Sequence, residues 1–417
     1  SILQGIIPLW NPYAGMGVPA LSEYQGAFLY PLNWLASLYH PMTGTRIIAF
    51  VHVIIQAFGM YFMARSGFGL GRSAATFAAV VQGVSAWNAA HVEQFMIAAA
   101  ASWTPFILLG WISYLRSPSY KAFLLTVGAL TTAILSGHSQ YWIYTLDAMA
   151  LLLIFGPSSD GAHNFKQCLR QKVLNATALM LLGIAAFGVS AAQILPTLEL
   201  AKHSERVIDP AEYGMHSSFP PGHLIYYFDP LRMPRWYEET NPYLNPVEMM
   251  PFVGRITVVL GLLATILLSK RRNTWVLLVW YSVFLCISFG QYLPGDGAFF
   301  RFLQRVMPGW HGLRVPARLI YMANIALIML AAHGLHHLAA RLKNRKVAFA
   351  VACAAVLMVV AEQYPVSMRL PLRNAAPFVP PQPTASVPSF TAEQQGVFRV
   401  FRLIDTVPIA RFDPLAH

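Results

Sequence analysis

The sequence predicts an all-α fold, a polytopic bundle of transmembrane helices with long loops on the outer side of the membrane. Three observations support this prediction. Hydrophobic residues make up 56% of the 417 residues and charged residues only 11%, against roughly a quarter charged in soluble domains. The apolar residues form blocks close to the ~20 residues that a helix needs to cross the hydrocarbon core. Basic residues gather in short segments between these blocks.

Ten apolar blocks are predicted to be membrane spans. They cover residues 43–64, 73–92, 95–115, 122–137, 140–156, 173–196, 253–269, 274–292, 319–340 and 347–361. The second block is diluted by Gln82, Ser85 and Asn88. Several blocks are shorter than ~20 residues, which helix tilt or local thinning of the bilayer accommodates.

The distribution of Lys and Arg predicts the orientation, because cytoplasmic loops are enriched in these residues. The segments after the odd-numbered spans hold 14 of the 29 basic residues and a single acid, Asp160. These segments are 65–72, 116–121, 157–172, 270–273 and 341–346. We therefore expect them to be cytoplasmic. The net charge of +12 does not indicate a nucleic-acid partner, because the basic residues mark topology instead of forming one binding face.

This orientation divides the chain into three regions. Residues 1–42 form a first outer loop, and we expect the span before it to be missing from the sequence. Residues 43–370 form the bundle, with long outer loops at 197–252 and 293–318. Residues 371–417 begin with the Pro-rich linker PLRNAAPFVPPQPT. The alternating run VFRVFRLI then predicts the start of an outer soluble domain that the sequence truncates.

The first loop is dense in Pro, Gly and aromatic residues, so we expect neither a span nor a regular helix there. Aromatic rings such as those of Trp10 and Tyr13 suit the headgroup layer. The loop is either an interfacial cap on the bundle or a substrate-binding wall, with Trp10, Asn11 and Tyr13 as the candidate contacts. Glu23 is its only acid. It is a candidate general base or a solvated surface carboxylate.

Two short outer turns carry histidine beside a polar residue, HVEQ at 91–94 and GHSQ at 137–140. We expect His91, His138 and Gln140 to lie at the outer mouth of the bundle as substrate-binding residues, with Glu93 as a second candidate general base. The alternative is that these polar groups only satisfy helix ends. Neither spacing matches a metal site, which needs three or four ligands. The sequence therefore indicates no metal and no cofactor, and leaves a divalent cation open.

Four arginines lie close together in the 293–318 loop, namely Arg301, Arg305, Arg314 and Arg318. Pro316 suits the first turn of the helix that follows and pushes Val315 out of helical geometry. Guanidinium groups beside a helix N-terminus are a good site for a phosphate. The arginines are therefore candidate phosphate or donor-binding residues. The alternative is nonspecific contact with lipid headgroups.

Three other features remain open in the sequence. The 197–252 loop, which includes Glu248, is either a substrate-side lid or a solvated loop. Asp147 is either a functional acid within a span or a side chain hydrogen-bonded to a neighbouring span. The histidines near the end of the ninth span suit the membrane interface beside Arg341.

Several segments together resemble one protein family. The first loop, GIIPLWNPYAGMGVPALSEYQGAFLYPLNWL, resembles the opening outer loop of YfhO-type bacterial membrane proteins. Three later segments follow in the same order as in that family: GHSQYWIYTL, VEMMPFVGRITVVLGLL and GLRVPARLIYMANIALIMLAAHG.

The resemblance implies a glycosyltransferase of the GT-C architecture in the bacterial cytoplasmic membrane, crossing it many times. Such an enzyme takes a sugar from a polyprenyl-phosphate carrier in the lipid bilayer and transfers it to a glycan or cell-envelope polymer on the outer face. GT-C enzymes usually place a catalytic acid in the first outer loop just after the first span, upstream of Ser1. That acid is then outside this sequence, or Glu23 or Glu93 takes its role.

Two other functions compete with this interpretation. A transporter or flippase for lipid-linked sugars would need charged or broken helices at the middle of the membrane. A noncatalytic scaffold for envelope assembly would keep the bundle without the chemistry. The spans contain few charges, and the polar features are predicted on one side, which favours the glycosyltransferase.

Overall fold

A computed structural model describes residues 9–11, 17–91, 94–156, 165–203, 215, 217–233 and 247–374. These residues are mostly helical and include no β-strand, only an isolated antiparallel bridge between Asn11 and Val18. The all-α prediction is confirmed for this part of the chain.

The α-helices are numbered in chain order. They are α1 (Pro31–Ala36), α2 (Pro41–Phe62), α3 (Arg72–Gly83), α4 (Ala86–Ala90), α5 (Phe95–Ser102), α6 (Thr104–Arg116), α7 (Tyr120–Leu135), α8 (Ser139–Phe155), α9 (Phe165–Val189), α10 (Ala191–Lys202), α11 (Arg255–Leu267), α12 (Arg272–Ser288), α13 (Ala298–Val306), α14 (Leu319–Arg341) and α15 (Arg345–Asn374). A π-helical turn, Met63–Gly67, continues α2, and 3-10 turns lie at Tyr24–Gly26, Pro221–Tyr227, Pro230–Arg232, Gly290–Tyr292 and Pro316–Arg318.

Five helical segments are long and apolar enough to cross a membrane. They are Thr43–Gly67, Phe95–Arg116, Lys166–Val189, Pro316–Arg341 and Arg345–Met368. Four apolar helices are shorter: α7, α8, α11 and α12. The predicted spans therefore correspond to apolar helices in every case but one, and the exception is the second.

The second predicted span, 73–92, is divided into α3 and α4. The polar residues that dilute this block make the break. Asn88 donates from Nδ2 to the carbonyl oxygens of Gln82 (2.7 Å) and Gly83 (3.2 Å), and the Ser85 hydroxyl accepts from the Asn88 amide at the start of α4. Side chains that bond to nearby backbone compete with the helical hydrogen bonds. The prediction of one continuous helix was wrong here.

Helix boundaries also differ from the prediction elsewhere. The sixth predicted span, 173–196, is interrupted at Ser190, between α9 and α10. Residues 293–318 were predicted as a loop but contain α13, and the first loop contains the short helix α1. The last predicted span ends at 361, whereas α15 continues to Asn374 and so enters the predicted linker that begins at 371. The predicted strand beyond residue 396 lies outside the described residues.

Helix α14 is the centre of the molecule. Its sequence is apolar on all sides, which is typical of a helix surrounded by others. In the apolar window of Pro316–Arg341, 94% of the residues are buried, against 22% in Lys166–Val189 and in Arg345–Met368. α11 and α12 make its most extensive contacts, and α3, α8 and α15 complete its surroundings. α9 and α15 instead leave large apolar side chains exposed, among them Ile184 and Leu357.

Glycines allow α11 and α14 to approach closely. A Cβ at Gly334 of α14 would meet the backbone carbonyl oxygen of Leu260 and lie 3.3 Å from the Ala264 Cβ. Conversely, a Cβ at Gly261 of α11 would lie 2.8 Å from a methyl group of Leu327. Small residues of this kind let apolar helices pack backbone to backbone.

We expect Gly334→Ala to lower the free energy of unfolding by ~1–3 kcal/mol, because the added methyl group overfills the α11–α14 contact. Thermal unfolding of the detergent-solubilised protein measures this loss. Gly183→Ala on α9 is the matched control, because a Cβ there meets nothing within 4 Å. The control should be neutral or gain ~0.5–1 kcal/mol from the better helix former. Equal effects of the two substitutions would contradict the close-packing role.

Candidate functional site

A cluster of charged side chains lies at the N-terminal end of α14. Arg318 directly precedes the helix, and it forms an ion pair from Nη2 to the Oε1 atom of Glu248. The second carboxylate oxygen of Glu248 lies 3.2 Å from His91 Nε2. The exposed fraction is 9% for Arg318, 3% for Glu248 and 0% for His91. Three potentially charged groups are thus buried together.

Two basic side chains hold the Glu248 carboxylate. His91 Nδ1 lies 2.9 Å from the Trp87 carbonyl oxygen, and Nε2 faces the Glu248 carboxylate. Burial alone would raise the pKa of the Glu248 carboxyl, but the Arg318 charge and the hydrogen bond from His91 more than offset it, so the pKa is held below its ordinary value. One carboxylate therefore faces both the Arg318 guanidinium and the His91 ring.

The turn before α8 completes the cluster. Gln140 accepts from Arg318 Nη1 through its side-chain oxygen and donates from Nε2 to the Arg314 carbonyl oxygen. Arg318 Nη1 also lies 3.4 Å from His138 Nε2, which accepts because a guanidinium can only donate. Burial lowers the pKa of His138, and the Arg318 charge lowers it further. His138 is therefore neutral, with its hydrogen on Nδ1.

Three buried donors of this cluster have no hydrogen-bond partner among the described residues. They are Arg318 Nε, His138 Nδ1 and the Tyr141 hydroxyl. The rings of His138 and Tyr141 lie 5.4 Å apart, so these donors belong to one site. Buried polar groups are normally satisfied. A set of unsatisfied donors that includes a guanidinium suits a ligand rich in acceptors, such as a phosphate or the oxygens of a sugar.

Aromatic rings surround the charges and keep water away from them. Trp87 stacks on His91 at 4.2 Å and packs against Tyr321 at 4.5 Å. Tyr321 in turn contacts Tyr141 at 5.4 Å. Hydrogen bonds and charges act more strongly in such low-dielectric surroundings than in water.

The chain enters the site through a strained residue. Val315, which precedes Pro316, adopts φ +58° and ψ +70°, a left-handed conformation. The predicted departure from helical geometry at Val315 is confirmed. For a β-branched residue this conformation costs about 1–3 kcal/mol, and such strain often occurs at functional sites. The Val315 side chain is buried in an apolar cluster with Phe219, Met250 and Ile320, which stabilises the turn.

The first loop packs against the turn that carries His138. The Tyr24 hydroxyl donates to the Ile134 carbonyl oxygen at 2.6 Å and accepts from Trp142 Nε1 at 2.9 Å. Gly137 has φ +91°, and a Cβ there would lie 2.8 Å from the Tyr24 carbonyl oxygen. Glu23 is exposed and directly precedes Tyr24. The loop thus brings Glu23 to the same end of the bundle as His138.

The predicted site residues therefore fall into several groups. His91, His138, Gln140 and Arg318 converge on the cluster. Arg314 contributes its backbone carbonyl and is half-buried.

Trp10 is 54% exposed in the first loop and Asn11 is half-buried there. Glu93 and Tyr13 lie outside the described residues.

Arg301 and Arg305 lie on α13 and have other surroundings. Arg301 donates to the carbonyl oxygens of Asp296 (2.6 Å) and Gly295 (3.2 Å), so it closes the turn before its own helix. Arg305 is exposed. The hydrogen bonds of Arg301 and Arg318 go to different partners, and the sequence spacing alone did not predict this difference.

Asp147, two turns along α8 from Gln140, accepts a hydrogen bond from Trp310 Nε1 at 2.9 Å. This contact joins α8 to the segment before α14, not to a neighbouring span. Among the described residues no group of three or more His, Cys, Asp or Glu side chains has the arrangement to hold a metal ion.

Sequence reasoning did not assign Glu248 and Tyr141 to the site. Glu248 was noted only as part of the 197–252 loop, and Tyr141 only within the segment GHSQYWIYTL. The signal for Glu248 was its place in VEMMPF, a lone acid within an apolar run directly before a helix. An isolated acid in such surroundings needs a cationic partner.

No protein-family model, curated protein or solved structure matches this chain.

We expect Glu248→Gln to lower the free energy of unfolding by ~3–5 kcal/mol, because it leaves the buried charge of Arg318 without its counterion. Chemical or thermal unfolding in detergent measures the loss. Asp229→Asn is the matched control, since Asp229 and Arg232 form an exposed ion pair at 2.9 Å. An exposed pair contributes only ~0–1 kcal/mol. A Glu248→Gln protein as stable as the control would show that the cluster does not hold the fold together.

Proposed function

We propose that this chain is a membrane glycosyltransferase that transfers a sugar from a polyprenyl-phosphate-linked donor to a cell-envelope acceptor on the outer face of the bacterial cytoplasmic membrane. The observation that supports it best is the buried cluster at the end of α14. It presents three buried donors that have no hydrogen-bond partner among the described residues, one of them on the Arg318 guanidinium, at the end of a bundle of apolar helices. A lipid-linked phosphate needs both an apolar surrounding for its chain and cationic donors for its head.

The segments that resemble YfhO-type proteins meet at this cluster. GHSQYWIYTL supplies His138, Gln140 and Tyr141, VEMMPFVGRITVVLGLL supplies Glu248, and GLRVPAR supplies Arg318. These segments are far apart in the chain, so their meeting at one place supports the idea that the resemblance reflects a shared site. It is also consistent with the GT-C architecture that the resemblance implies.

In the proposed reaction the acceptor hydroxyl attacks the anomeric carbon of the sugar, and the bond from that carbon to the carrier phosphate breaks. The phosphate leaves with the electron pair, and its developing charge is stabilised by the donors of Arg318, His138 and Tyr141. A carboxylate takes the proton of the acceptor hydroxyl. Glu23 is the candidate for this role within the described first loop.

Glu248 is assigned a positioning role instead. Its carboxylate is engaged by Arg318 and His91, and its lowered pKa makes it a weak base. It holds the guanidinium in place, so that Nε, which has no partner in the described part of the chain, is presented to the phosphate.

Transfer should occur in detergent, with purified protein, a panel of polyprenyl-phosphate sugars and envelope glycan acceptors. Detergent leaves no membrane to cross, so sugar transfer there identifies an enzyme. A flippase would move such lipids across vesicles but form no product in detergent. A scaffold would do neither, and either of these results would refute the proposed function.

Binding of the carrier tests the phosphate site separately. We expect unglycosylated polyprenyl phosphate to bind and raise the unfolding temperature, and the uncharged polyprenol to have little effect. Tyr141→Phe should weaken polyprenyl-phosphate binding roughly tenfold, because it removes one donor to a charged group, worth ~1.5 kcal/mol. The substitution breaks no hydrogen bond among the described residues, so the unliganded stability should stay unchanged.

Tyr120→Phe serves as the control for Tyr141→Phe, because Tyr120 is 74% exposed. It should bind polyprenyl phosphate as the wild type does. If Tyr141→Phe bound as tightly as this control, the hydroxyl would have no part in phosphate recognition.

A further inference from the structure

Helix α13 carries an exposed apolar flank. The helix has nine residues, AFFRFLQRV. Phe299 is 49% exposed, Phe302 55% and Val306 53%. At 3.6 residues per turn these three positions lie along one side of the helix. Such an apolar flank is costly to expose to water.

A basic flank lies beside the apolar one. Arg301 and Arg305 are one turn apart and share the neighbouring side of the helix. The helix contains no acid, and Arg305 is exposed. Apolar and basic flanks side by side are typical of helices that lie in the interface plane of a membrane, with aromatic side chains in the acyl region and cations at the headgroups.

Contacts on the buried side of α13 fix the orientation of the helix. Phe300 is fully buried and packs against Trp310 with ring centroids 5.8 Å apart. Gln304 donates to the Leu313 carbonyl oxygen at 2.9 Å. α13 also lies between α12 and α14, two apolar helices that it joins at one end of the bundle.

We infer that α13 is an interfacial helix and that the lipid bilayer covers its exposed side at that end of the bundle. Phe299, Phe302 and Val306 lie among the acyl chains, and Arg305 lies at the headgroup phosphates. The inference does not rest on glycosyl transfer. It has a consequence for the site, because Trp310 and Leu313 link α13 to the segment that ends at Arg318. The depth of α13 in the bilayer thereby sets the position of the cluster.

Site-directed fluorescence in vesicles tests this placement. Cys168, Cys286 and Cys353 are replaced by Ala, and single cysteines are introduced as Phe302→Cys, Arg305→Cys or His311→Cys. Each is labelled with an environment-sensitive dye and reconstituted in phosphatidylcholine–phosphatidylglycerol vesicles. His311 is the control because it is exposed in the loop after α13. Size-exclusion profiles confirm that each labelled protein is folded.

We expect acyl-chain nitroxide lipids to quench the label at 302 roughly threefold more than the label at 311, and headgroup nitroxides to quench the label at 305 most. Aqueous iodide should quench the label at 311 most. Equal access of iodide to 302 and 311 would overturn the inference. A second result would also overturn it. If the label at 302 were protected from both lipid nitroxides and iodide, and this protection disappeared on dilution of the protein in lipid, a second copy of the chain would cover the flank. Neither readout depends on sugar transfer.

Discussion

The buried ion pair between Glu248 and Arg318 is the constraint on which the arrangement of the site depends. An isolated charge cannot be removed from water without a large cost, so each of these groups requires the other and the hydrogen bonds around them. Those bonds reach His91, which follows α4, and Gln140, in the first turn of α8. Segments that are remote in sequence are thus held at one end of α14. The cost of burying the charges is offset only when all of these segments are in place together.

The rest of the bundle supplies the apolar surroundings that make this pairing necessary. α14 is enclosed because glycines let α11 approach its backbone, and because α3, α8, α12 and α15 cover its other sides. The first loop closes the same end by inserting Tyr24 against α7 and α8. Exclusion of water from the cluster follows from this enclosure. It strengthens the hydrogen bonds within the cluster, and it shields the donors of Arg318, His138 and Tyr141 from bulk solvent.

Arginines that are neighbours in sequence have different roles in this molecule. Arg318 lies at the start of a buried helix and is paired with a carboxylate, whereas Arg305 lies on the exposed side of α13. Arg301 binds the carbonyl oxygens of the turn before its own helix. Four arginines within one predicted loop gave no indication of this division. The difference arises because Arg301 and Arg305 lie on α13, whereas Arg318 lies in the segment that leads into α14.

The sequence by itself determined the helical class, the positions of most apolar helices and the polar residues that could form a site. These features are local, since block length and helix-compatible composition are properties of consecutive residues. His91, His138, Gln140 and Arg318 were identified in this way from their places beside apolar blocks. Only the tertiary structure decided that Glu248 is their counterion, that Tyr141 presents a donor there, and that the second block breaks between α3 and α4. Partner choice among many acids depends on which helix ends meet in space, and that is set by packing between distant segments rather than by any pattern along the chain.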